Sequence, residues 1–115
     1  MKKFLVIAIF FSGAALFAQN KNQKTEIEVN GVCLMCKDRI EKAAIKNKGV
    51  KSAVWDVNTH KLSVIFDEGK ISTEEIEQSV ANVGHDTENL TAPKDAYDNL
   101  HPCCKYRDEE VIQGH

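Results

Sequence analysis

Between Thr25 and Asn30 the chain alternates: Ile27 and Val29 fall on one face, Glu26, Glu28 and Asn30 on the other. That period of two predicts a half-buried strand, broken by Asn30-Gly31. The period then changes. Cys36, Ile40, Ala43 and Ala44 stand at i, i+4, i+7 and i+8, the inner stripe of a helix of about three turns. Lys37, Asp38, Arg39, Glu41 and Lys42 take its solvated face, and Asn47-Lys48-Gly49 ends it. Val50 to Val57 reads as a second strand with Ala53, Trp55 and Val57 inward. Asn58-Thr59-His60 makes a tight turn, and Lys61 to Phe66 alternates again with Leu62, Val64 and Phe66 inward, so the two runs predict a hairpin. Ser72-Thr73-Glu74-Glu75 is a capping box, with Ile71 and Ile76 placed as its hydrophobic staple. Ile76, Val80 and Val83 form the stripe of the second helix, which Gly84 stops. His85 to Leu90 is a weak, polar last strand.

The order β-α-β-β-α-β predicts an α+β, ferredoxin-like sandwich: two helices on one face of a four-stranded antiparallel sheet. Past it, Pro93 to Leu100 suits a short helix with proline at its first turn. His101-Pro102-Cys103-Cys104-Lys105-Tyr106-Arg107 and a polar end follow.

Not all of the 115 residues belong to that pattern. Met1 to Ala18 has a basic start, an apolar run and a small residue at its end, the anatomy of a secretory signal peptide cut after Ala18 or Gln19. The apolar run is shorter than the ~20 residues of a comfortable membrane span. No cysteine sits at the cut to carry a lipid, so no stable membrane anchor is expected after cleavage. The expected division is a signal peptide at 1–18, a folded domain at 25–90 and a Cys/His-containing C-terminal tail at 91–115, in a periplasmic or secreted protein. The leader holds two of the 15 basic residues and none of the 17 acids, which leaves 13 − 17 = −4 on the rest. A mildly acidic surface argues against nucleic acid as a partner and does not repel a cation.

The chemistry lies in the cysteines, Cys33, Cys36, Cys103 and Cys104. An exported chain with an even count can be disulfide-linked, although a bridge between the neighbours Cys103 and Cys104 would be strained. Cys33 and Cys36 lie where a strand ends and a helix begins. Unpaired amides and the positive helix end favour the thiolate there. Two thiolates select soft ions of low coordination, Cu(I) or Hg(II), while Zn(II) calls for further ligands, which the tail could supply. Met35 is a nearby thioether.

Gly31, Cys33 and Cys36, followed by Arg39-Ile40-Glu41-Lys42-Ala43, Gly49-Val50, Ala53, Thr59, Lys61 and Gly84, resemble the heavy-metal-associated domain family over residues 25 to about 88. Its members include copper chaperones, N-terminal modules of metal-pumping ATPases and periplasmic mercury-scavenging proteins. Here Val32 stands where the family usually has methionine, the loop between Gly31 and Cys33 is one residue shorter, and His85 takes a place often held by an aromatic. The resemblance implies a metal carrier or scavenger using Cys33 and Cys36, with a metal-transporting ATPase or other metal-handling membrane protein as partner.

In this topology the end of the first strand, the hairpin turn and the start of the last strand share one sheet edge. His85 is therefore a candidate neighbour of the thiolates, and His60 a solvated turn residue. The tail leaves from the opposite edge but is long enough to return, so His101, Cys103 and Cys104 are candidate additional ligands. Trp55 is expected in the core. The residues present no catalytic constellation, so the chain reads as a non-enzyme. The alternative function is a thiol–disulfide redox protein using Cys33 and Cys36.

Overall fold

The computed structural model describes residues 20–114. The expected signal peptide at 1–18 lies outside the described residues. The first alternating run forms β1 (Gln23–Glu28), and helix α1 (Leu34–Ile45) follows. Strands β2 (Val50–Trp55) and β3 (Lys61–Phe66) form the hairpin, and α2 (Thr73–Asn82) comes after them. The sheet is antiparallel in the order β1-β3-β2, so α1 carries the chain from one edge strand to the other. The expected stripe of α1, Cys36, Ile40, Ala43 and Ala44, is buried against Ile27, Trp55, Leu62 and Val64 of the sheet and Ile76 and Val80 of α2. The capping box of α2 is complete: the Ser72 hydroxyl accepts from the Glu75 N–H and the Glu75 carboxylate accepts from the Ser72 N–H. This is the α+β, ferredoxin-like arrangement that the periodicity predicts.

The fourth strand is shorter than expected. Among the described residues it is reduced to a bridge between Val29 and Thr87, flanked by Glu88 N–H to the Glu28 carbonyl and Asn30 N–H to the Asp86 carbonyl. The side chains of this segment take up backbone groups that a longer ladder would need. The Thr87 hydroxyl accepts from Leu90 N–H, and the Asp86 carboxylate from Ala92 N–H. Asx and Ser/Thr side chains compete with strand pairing in just this way.

The tail turns back over the domain. It forms α3 (Lys94–Asp98), a single 3₁₀ turn at Pro102–Cys104, and α4 (Glu109–Gln113). Leu100, Cys104 and Tyr106 all join the main core. The Tyr106 hydroxyl donates to the Gly84 carbonyl at 2.6 Å and accepts from Asp86 N–H at 2.8 Å. The Arg107 guanidinium pairs with the Asp86 carboxylate at 2.7 Å. Lys105 donates to the carbonyls of Tyr97 and Asp98, the open C-terminal end of α3. No helix among the described residues is long and apolar enough to cross a membrane.

Candidate metal centre

Cys33 is the N-cap residue of α1 and Cys36 lies in its first turn, on the stripe that faces the core. The loop before them rests on Trp55. A Cβ at Gly31 would come within 3.0 Å of the Trp55 ring and 3.1 Å of Cys36 Cβ, so a side chain here would press on both. Trp55 is anchored in turn by its indole N–H, which donates to the Val29 carbonyl at 3.0 Å.

Four sulfurs meet at this end of α1. Cys33 Sγ lies 3.3 Å from Cys36 Sγ, 3.5 Å from Cys104 Sγ and 4.0 Å from Cys103 Sγ. All four are thiols rather than disulfides. Cys36 and Cys104 are fully buried, and Cys33 and Cys103 are half-buried. Met35 Sδ stands 3.7 Å from Cys103 Sγ and is part-exposed. The Arg39 guanidinium donates to Cys104 Sγ at 3.5 Å.

The sulfurs are not equivalent. Burial pushes the Cys33 thiol up, but the Cys36 N–H, the Cys36 and Cys104 thiols and the Met35 N–H together hold it below its ordinary value. For Cys36, burial wins and the thiol is raised. Desolvation first, and then the neighbouring sulfurs, push Cys103 up to about 11 and Cys104 up to about 12, with Arg39 opposing at Cys104. Cys33 is therefore the sulfur most biased toward the thiolate, the form of cysteine that can bind a cation.

The histidines divide differently. Among the described residues, the ligating atoms of Cys33, Cys103 and Cys104 lie within 4.8 Å of one another, and no histidine belongs to that group. His101 is exposed at the start of the 3₁₀ turn. His60 sits in the hairpin turn with φ 64° and stacks on Trp55 at 5.6 Å. His85 is fully buried, with Nδ1 2.8 Å from the Asn30 carbonyl and its ring stacked on Tyr106. It ties the metal loop to the last segment from behind. Arg39 contributes where its sequence position gave only a solvated helix face. Tyr106 carried no signal beyond its nearness to the cysteine pair.

Burial lowers His85 to about 4 from 6.5, against the pull of the Asn30 carbonyl. Between those values only the unfolded chain takes up the proton. Stability is complete above pH 6.5 and should fall by about 3 kcal/mol as the pH drops to 4. Urea unfolding across this window measures it, and His85→Phe should flatten the profile there.

Comparison with known proteins adds to this geometry. The family model described as the heavy-metal-associated domain matches residues 26–86. The copper chaperone CopZ of Staphylococcus haemolyticus is 33% identical over 61 residues, 52% of this chain and 90% of that protein. The crystal structure of oxidized MerP from Ralstonia metallidurans superposes with a TM-score of 0.56 at 26% identity, covering 58% of this chain and 94% of that one. A CopZ metallochaperone structure gives 0.55 at 26% identity, covering 56% and 98%. The family match ends before the tail, so Cys103 and Cys104 lie beyond it.

Proposed function

The chain belongs to the heavy-metal-associated domain family, and from that premise we propose that it is an exported, non-enzymatic carrier of a soft metal ion, with Cu(I) as its cargo. The observation that carries this reading is the convergence of Cys33 and Cys36, 3.3 Å apart at the N-terminus of α1, with one thiol biased toward the thiolate. Soft sulfur donors favour Cu(I) over harder divalent ions. Hg(II), which shares that preference, is the second cargo to try. Export rests on the basic, then apolar, then small-residue pattern of Met1 to Ala18. The chemistry of a carrier also suggests its partner, a metal-handling membrane protein such as a metal-transporting ATPase that presents thiols of its own. Transfer then proceeds by exchange of one sulfur for another at the half-exposed Cys33.

The test is Cu(I) uptake by the reduced protein in competition with a chromophoric chelator. The parent should take up Cu(I), and the Cys33→Ser/Cys36→Ser variant should lose high-affinity uptake. Unchanged uptake in that variant would refute the reading. Rapid reduction of insulin disulfides by a parent protein that binds no Cu(I) would favour the redox alternative.

A further inference from the structure

The tail thiols outside the family match lie against the pair inside it. We propose that Cys103 and Cys104 are ligands of the same ion as Cys33, so that the tail closes the two-thiolate carrier site into a centre of three or more sulfurs. This rests on the reading of the Cys33–Cys36 end of α1 as a Cu(I) site.

Geometry favours the higher coordination. With metal–sulfur bonds of ~2.3 Å, sulfurs bound to one ion stand ~4.6 Å apart in a linear pair, ~4.0 Å in a trigonal plane and ~3.8 Å in a tetrahedron. The contacts made by Cys33 are 3.3, 3.5 and 4.0 Å. The 4.0 Å contact to Cys103 matches a trigonal site, and Cys33 and Cys36 would have to part by about 0.7 Å from 3.3 Å to reach the trigonal spacing, against about 1.3 Å for a linear pair. Cys33, Cys103 and Cys104 already converge within 4.8 Å.

The tail is also held in place before any ion arrives. Leu100 and Tyr106 are buried in the core, Tyr106 is bonded to Gly84 and Asp86, and Arg107 is paired with Asp86. Binding therefore does not have to order a loose segment, which preserves affinity. Cys104 belongs to the core and Cys103 packs against it, and this docking sets both sulfurs beside Cys33 and Cys103 beside Met35 as well. Each thiol that binds gives its proton to solvent, and Cu(I) keeps its oxidation state. The negative charge that accumulates faces Arg39 and the amino end of α1. A third sulfur strengthens retention and slows hand-off, and so tilts the protein from shuttle toward reservoir.

X-ray absorption of the anaerobic Cu(I)-loaded full chain counts the sulfurs directly. Three or more in the parent, falling to two in Cys103→Ser/Cys104→Ser with at least a tenfold weaker Cu(I) affinity, is the expected result. Cys104 is buried, so the double variant could be lost to misfolding. Cys103→Ser alone, at a half-buried position, then supplies the comparison, and the parent's own count needs no variant. Two sulfurs in the parent, or an affinity that no tail substitution changes, overturns the tail ligands and leaves the Cys33–Cys36 site standing. Failure of the parent to bind Cu(I) overturns both.

Discussion

Trp55→Ala is expected to remove about 3–5 kcal/mol of folding stability, the usual cost of truncating a buried aromatic to alanine. The side chain is fully buried, and its loss would open a void under α1 and orphan the Val29 carbonyl that its indole satisfies. On a domain whose total stability is about 5–15 kcal/mol this is a large share, and it should lower Tm by on the order of 20 °C. The effect should reach the sulfurs, because the ring lies against Gly31, which in turn lies against Cys36, and both Trp55 and Cys36 belong to one core cluster. Trp55→Phe keeps most of that contact and loses only the indole bond and part of the volume, so it should cost about 1–2 kcal/mol. Calorimetry on the two variants separates these contributions. Equal, small losses in both would mean that the metal loop does not depend on the ring.

Gly84→Ala should be the second severe change, at about 2–5 kcal/mol from left-handed strain and overpacking together. Gly84 holds φ at +111°, and a Cβ there would come within 2.8 Å of both the Ala96 carbonyl and Leu100 Cδ2. Relief requires the tail to lift, which would also draw the Gly84 carbonyl from the Tyr106 hydroxyl. Protection of tail amides from hydrogen exchange should therefore collapse together with the melting temperature. Gly114→Ala is the control. Its Cβ would meet nothing closer than 3.4 Å, and an effect within about 0.5 kcal/mol is expected. A parent-like Tm for Gly84→Ala would count against the described packing of α3 on the end of α2.

The elements that periodicity defines well are those whose apolar residues all face one core. Strand β3 has the bounds that its alternation marks, Lys61–Phe66, and the stripe of α1 is the buried face of that helix. The last strand was less legible because Asp86 and Thr87 can either join a ladder or satisfy nearby backbone groups. They do the second on either side of a single bridge. Helix α4 was not predicted, since the run after Arg107 read only as a polar end; its Asp108 cap, followed by Glu109 and Glu110 in the first turn, is what forms it. At the site, spacing alone brought Cys33 and Cys36 to one helix end. The return of the tail was legible only as reach, since chain length limits where Cys103 and Cys104 can go without saying where they rest. What fixes them is the bonding of Tyr106 and Arg107 to a turn that no periodicity describes. Arg39 was hidden for a related reason. On a bare helix it faces water, and it meets Cys104 only after the tail has docked.

The shortened last strand leaves the outer side of β1 largely unladdered, and β2 is the opposite margin of the sheet. Open margins invite strand-by-strand association between molecules. Here Lys24, Glu26 and Glu28 crowd one border, and the other is broken by a register slip between Val50 and Ser52 beside exposed Lys51. Charge and irregularity on these two borders disfavour strand-by-strand stacking of one molecule on the next.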